Sequence, residues 1–144
     1  DPTAYKPDLA ACLHNLATCL SDVGDRSAAL AAIRETAAIR RELAERDPAT
    51  HAPALAPCLH RLTKRLAEAG HRGEALETAR EAVAAYQSLV RRRPEDFSRG
   101  LAGALRTYAS VLEWAGKEAD AARIRQESEA ATEQRALEAS IRGF

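Results

Sequence analysis

Residues 12–30 read CLHNLATCLSDVGDRSAAL, residues 58–76 read CLHRLTKRLAEAGHRGEAL, and residues 104–122 read ALRTYASVLEWAGKEADAA. Each stretch begins 46 positions after the one before it. Leu13, Leu59 and Leu105 are one position seen three times, as are Leu20, Leu66 and Leu112. Gly24, Gly70 and Gly116 recur in the same way, and so do Ala29, Ala75 and Ala121. Working outward, Leu9, Leu55 and Leu101 keep step, as do Pro2, Pro48 and Pro94. Without gaps, residues 1–46 and 47–92 agree at 19 of 46 places. A fixed period of this size predicts a solenoid, in which each unit buries its apolar face on its neighbours. Solenoids present long surfaces, so the repeat points to binding before it points to catalysis.

Three units, 1–46, 47–92 and 93–138, use all but the tail 139–144, which leaves one domain over residues 1–144. Hydrophobic residues make up 46% but aromatics only 4%, so alanine and leucine supply the core, as suits close-packed helices. Basic and acidic side chains number 21 each. A general nucleic-acid binder carries a basic excess, and this chain has none. No apolar run approaches membrane-spanning length, and no signal peptide is visible. The sequence contains no methionine, so it is expected to be a fragment of a longer protein. Cys12, Cys19 and Cys58 are an odd set without a paired framework. Equivalent positions on stacked helices lie about 10 Å apart, too far for a disulfide between Cys12 and Cys58. All three are expected to be small buried residues in a reducing compartment.

Each unit reads as two helices. Leu9, Leu13, Leu16 and Leu20, and then Leu55, Leu59, Leu62 and Leu66, fall at helical spacing. Gly24, Gly70 and Gly116 follow as left-handed caps. The second helix runs through Ala29, Leu30, Ile33, Ala37 and Leu43, or through Ala75, Leu76, Ala79, Val83 and Leu89. Asp47-Pro48 and Arg93-Pro94 close one unit and open the next. Pro7 and Pro53 are expected in or just before the first turn of the leading helix. The predicted helices are 4–22, 26–46, 50–68, 72–92, 96–114 and 118–140, antiparallel in succession because the connections are short.

The two ends differ. Where earlier units have Leu30 and Leu76, Ile33 and Ala79, or Ala37 and Val83, the last helix has Ala122, Arg125 and Glu129. That pattern predicts a capping helix. The first helix is the reverse. Leu9, Cys12, Leu16, Cys19 and Val23 form an apolar stripe beside the one made by Leu13, Ala17 and Leu20. It reads as an internal helix whose earlier neighbour is missing, and self-association through it is expected.

The three stretches resemble the tetratricopeptide repeat. The motif residues are Leu13, Leu16, Ala17, Leu20, Gly24 and Ala29; then Leu59, Leu62, Thr63, Leu66, Gly70 and Ala75; then Leu105, Tyr108, Ala109, Leu112, Gly116 and Ala121. The usual period is about 34 residues; the longer one here is similar to kinesin-light-chain-like repeats and to long repeats of actinobacterial regulatory proteins. HEAT and armadillo repeats reach comparable lengths, but the glycine turn and small-residue offsets favour the tetratricopeptide reading. The resemblance implies an all-α, right-handed superhelical solenoid of three helix-turn-helix repeats.

In that family the first helix of each repeat lines a concave groove. Carried onto this sequence, the groove residues are His14, Asn15, Thr18 and Asp22; His60, Arg61, Lys64 and Glu68; and Arg106, Ser110, Glu113 and Trp114. Its centre is expected to be basic through His60, Lys64 and Arg106, suiting a carboxylate or an acidic peptide. The plain alternative is a solvated charged face. Trp114 reads equally well as a ligand anchor and as packing on the next helix.

His14 and His60 have no second ligand at metal spacing, so no metal site is read, and no cofactor. The cysteines sit in apolar helices, where a thiolate is disfavoured. Arg91, Arg92 and Arg93 lie at a helix C-terminus and suit its dipole. The resulting expectation is a non-enzymatic protein- or peptide-binding module of a larger cytoplasmic bacterial regulatory or signalling protein, without nucleic-acid or membrane partners. The alternative is a structural or oligomerisation module that packs through its first helix.

Overall fold

The computed structural model describes residues 4–143. They form six helices: α1 (Lys6–Asp22), α2 (Arg26–Arg46), α3 (Pro48–Glu68), α4 (Arg72–Arg92), α5 (Pro94–Trp114) and α6 (Glu118–Arg142). No strand occurs among the described residues. Each helix packs on the next one in sequence. Successive helices run antiparallel, as contacts between opposite ends show. Lys6 at the start of α1 reaches Glu42 near the end of α2 (2.6 Å), and Arg142 at the end of α6 reaches Glu95 at the start of α5.

Two kinds of turn alternate, and each follows from one residue type. Within a unit the helix ends at a glycine with positive φ: Gly24 (+84°), Gly70 (+84°) and Gly116 (+79°). The N–H after each glycine donates back to the last leucine: Asp25 to the Leu20 carbonyl, His71 to Leu66 and Lys117 to Leu112, at 2.8–2.9 Å. The glycine N–H donates to Ser21, Ala67 or Glu113 at 2.9–3.1 Å. This pair of bonds is the Schellman cap, and the left-handed residue within it favours glycine.

Between units a single residue reverses the chain. Asp47 (φ −144°, ψ 82°) ends α2 and begins α3; Arg93 (φ −140°, ψ 77°) does the same between α4 and α5. Each precedes a proline, which disfavours the helical conformation at that residue. Asp47 also accepts a hydrogen bond from the Thr50 N–H (3.3 Å). Both prolines occupy the first helical position, where the fixed φ suits a helix start. Helices α3 and α5 therefore start two residues earlier than the sequence reading placed them, and α6 ends two residues later. As a result Pro53, expected in the first turn of α3, lies inside the helix, as does Pro57. Pro53 leaves the Ala49 carbonyl without its helical donor, at a residue that is exposed.

The core runs along the inside of the helical stack. Ile33, Leu59, Leu66 and Leu112 are at most 1% exposed, and Ala37, Ala75, Ala109 and Ala121 are fully buried. Alanine at these contacts lets helix axes approach closely, which is how a core with few aromatics fills its space. Side chains cross between alternate helices too. His14 of α1 meets Arg61 of α3, and His60 of α3 meets Thr107 of α5. On the other side Arg34 and Arg41 of α2 make two-pronged ion pairs with Glu74 and Glu81 of α4 (2.7–3.0 Å). Odd-numbered helices thus form one layer and even-numbered helices the other.

The ends differ as the pattern predicted. In α6 only Ala121 and Ser128 are buried. On α1, Leu9 is 38%, Leu16 48% and Val23 79% exposed. The expectation that all three cysteines are buried fails there: Cys58 is 1% exposed, but Cys12 and Cys19 are exposed and all three thiols are free. The two exposed thiols belong to the stripe of α1 that no helix in the structure covers.

Candidate functional site

The odd-numbered layer carries the residues singled out from the sequence, because positions three and four apart share one helical face. One pairing rule repeats across the layer. His14 meets Arg61 and His60 meets Thr107, each 47 positions apart. The Arg61 guanidinium donates to the His14 ring (Nη1–Nδ1 2.7 Å). A ring that accepts must be neutral, and burial, then the charges of Arg61 and Arg40, lower the His14 pKa. His60 Nε2 is hydrogen-bonded to the Thr107 hydroxyl (2.7 Å). Burial, followed by the positive charges of Lys64, Arg106 and Arg61, pulls the His60 pKa down to about 4. His60 is therefore a neutral group at pH 7, not part of a basic centre.

The basic character comes from other side chains. His60, Arg61 and Lys64 line an open cavity of about 380 Å³, closed at its sides by Pro57, Arg65 and Tyr86. Glu68 lies in its wall, tied to Arg65 (3.0 Å). Arg61 is engaged with His14. Lys64 has no carboxylate within ion-pair distance among the described residues, and neither has Arg106. Arg106 stands between His60 and a second cavity, of about 440 Å³, reached by Arg125, Ser128 and Glu129 of α6.

The remaining candidates spread out. Thr18 and Asp22 share a smaller cavity of about 200 Å³ with Arg61 and Arg65, at the turn end of the layer. Thr18 bonds its own helix, to the His14 carbonyl (3.2 Å), and Ser110 likewise, to the Arg106 carbonyl (3.1 Å). Asn15 is exposed. Glu113 is paired with Arg125 of α6. Trp114 lies apart. Its ring stacks under the Arg72 guanidinium (4.6 Å to the centroid), and it remains 38% exposed. Neither sequence reading of Trp114 describes this: its neighbour is the first residue of α4, in the preceding unit.

Two wall residues escaped the sequence reading. Arg65 stands at the register position of Cys19, so the repeat itself does not mark it as polar groove. Tyr86 sits on the second helix of its unit, outside the groove pattern; it is the one aromatic of α4, and its equivalents are the polar Arg40 and Thr132. A break in apolar pattern at one register position was the available signal.

Among the described residues no group of three His, Cys, Asp or Glu side chains could hold a metal ion, and no helix is long and apolar enough to cross a membrane. No protein-family model and no curated protein matches the chain.

Proposed function

We propose that the chain is a tetratricopeptide-like binding scaffold, a right-handed superhelical array whose odd-numbered layer receives an acidic or carboxylate-bearing peptide. The observation that carries this reading is Lys64 of α3 beside an open cavity, with Arg106 on α5, neither having an ion-pair partner among the described residues. An unpaired cation on a preformed surface is free to meet a carboxylate without breaking another bond. Rigid helices add little ordering cost on the receptor side. Tyr86 offers an aromatic wall, and neutral His60 and Asn15 offer hydrogen bonds to peptide backbone. The neutral His60 shapes the site by leaving charge to Lys64 and Arg106. No step of chemistry is assigned to these groups; the role is recognition, in a larger regulatory or signalling protein.

The test is a peptide-array screen of the parent and of the Lys64→Ala, Arg106→Ala double variant, with circular dichroism as the folding control. Neither residue belongs to the core, so the variant is expected to fold and to lose acidic peptides. Binding by the parent is expected to weaken with salt, because these charges face solvent. Equal binding by both proteins sinks the proposal and leaves the structural role, packing through α1, in its place.

A further inference from the structure

The outer stripe of α1 repeats, residue for residue, a surface that the structure already uses. Leu9, Cys12 and Leu16 stand at the register positions of Leu55, Cys58 and Leu62 on α3, with the same residue types. On α3, Cys58 and Leu62 belong to one buried cluster with Leu30, Ile33 and Ala37 of α2, and Leu55 packs against it, partly buried. Cys58 and Leu62 are there 1% and 2% exposed, whereas Cys12 is exposed and Leu16 is 48% exposed. The stripe continues at Tyr5, 58% exposed, whose counterpart Phe97 on α5 packs on the cluster of Tyr86 and Leu89 from α4. Twice in this protein the face is covered by the second helix of the unit before it.

The charges around the face match as well. Arg41 of α2 makes its two-pronged ion pair with Glu81 of α4. The register equivalent of Glu81 on α2 is Glu35, which is exposed and has no ion-pair partner among the described residues. Arg40 of α2 donates to the Ala54 carbonyl on α3 (3.4 Å). The register equivalent of Ala54 on α1 is Asp8, an exposed carboxylate.

We propose that the outer face of α1 is a docking site for one amphipathic helix of the α2 type. That helix carries large aliphatic residues in the order of Leu30 and Ile33, a small residue at the place of Ala37, and arginines at the places of Arg40 and Arg41. Its apolar residues cover Leu9, Cys12 and Leu16, and its arginines reach Asp8 and Glu35. Continuity with the α2–α3 and α4–α5 contacts argues for this occupant over a second copy of the chain. The chain's own α2 is held between α1 and α3, and α6 presents Arg125 and Glu129 where a donor helix needs apolar groups. The proposal is independent of the cavity on the odd-numbered layer.

The probe is a peptide of residues 26–46 of this chain, added to the whole protein. The readout is the rate at which Cys12 reacts with a thiol reagent, with Cys19 replaced by serine. Saturating peptide is expected to slow that reaction by about tenfold or more, because a covered thiol reacts only when the helix leaves. Arg41→Glu in the peptide is expected to weaken binding about two- to fivefold, and Glu35→Arg in the protein to restore it. Since a free peptide pays for its own helix formation, a second protein carries an added copy of residues 1–46 ahead of the whole chain. The added copy has Cys12→Ser and Cys19→Ser, and the tether raises the local concentration to roughly the millimolar range. Protection of the original Cys12 in either experiment supports the proposal. Unchanged Cys12 reactivity in both overturns it. Dimerisation that Leu16→Asp abolishes, without protection by peptide or added unit, overturns it in favour of a second copy.

Discussion

The ring of Tyr86 fills the place where a side chain on Gly100 would begin: a Cβ built on Gly100 overlaps the ring edge. Gly100 lies inside α5, where a glycine costs about 0.5–1 kcal/mol relative to alanine, so the close approach of the tyrosine is what the glycine permits. The same register pair in the unit before is Arg40 over Ala54. Wherever the second helix brings a long side chain at this position, the following helix answers with a small residue. Gly100→Ala is therefore expected to lower stability by about 1–3 kcal/mol in spite of its better helix propensity. In a Tyr86→Ala background the same change is expected to be neutral or stabilising. Urea midpoints of the four proteins in a double-mutant cycle check this; additive effects would separate the two residues.

Gly70 and Ala75 test the turn and the contact it brings about. Around a Cβ on Gly70 there is open space, so crowding is not the issue there; the φ of +84° is. Gly70→Ala is expected to cost about 1–2 kcal/mol from backbone conformation alone, Gly70→Val more, and Gly70→Asn less. Ala75 is fully buried against the neighbouring helix. Ala75→Leu is expected to overpack the hairpin by about 1–3 kcal/mol. Thermal melts decide, and a parent-like melting temperature for Ala75→Leu would contradict the packing described for that contact.

The period, the six helices and their order were legible because Gly24, Gly70, Gly116, Pro48 and Pro94 act locally, through φ alone. The apolar stripe on α1 was legible for a related reason: Leu9, Cys12 and Leu16 repeat the residue types of Leu55, Cys58 and Leu62 at the same register. What stayed hidden depends on neighbours brought together only by stacking. Nothing local marks His60 as neutral, since its burial and the charges of Lys64, Arg106 and Arg61 come from two helices. Nothing local shows that Glu113 is taken by Arg125 while Lys64 has no carboxylate partner among the described residues. Cys12 and Cys19 are exposed against expectation because an apolar helix pattern does not say whether a partner is present.

The thiols give a direct measure of that uncovered stripe. Cys12 and Cys19 are exposed, whereas Cys58 is 1% exposed and burial raises its pKa. The native protein is expected to react at two thiols within the mixing time of a standard reagent. The third is expected to follow on the order of a hundredfold more slowly, through opening of the α2–α3 contact. Mass spectrometry of partly labelled protein identifies the slow site. Rapid labelling of all three would mean that α2 does not cover α3 as described.

His60 makes stability depend on pH in a defined window. The unfolded chain takes up a proton at this residue near the ordinary histidine value of about 6.5, while the folded protein resists until about 4. Between those values the unfolded state binds more protons, so stability is full above about 6.5 and falls as the pH drops toward 4. Protonation there also denies a lone pair to any bond in which Thr107 donates to Nε2. His60→Gln is expected to be less stable than the parent at pH 7, through the lost fit to Thr107, and to show a shallower decline from pH 6.5 to 4.5. The gap between the two proteins should therefore narrow as the pH falls. His14, whose pKa is lowered for the same reasons in the same direction, adds to the decline in both proteins alike. Glu42 and Asp47 have lowered pKa values, Glu42 through Lys6 and Asp47 through Thr50. Their contributions fade from about pH 5 downward, and again in both proteins alike. Urea midpoints at pH 7.0, 5.5 and 4.5, chosen to span that roughly two-unit window, separate these effects. Parallel decline of parent and His60→Gln would show that the imidazole in the folded protein takes up its proton near the ordinary histidine value of about 6.5.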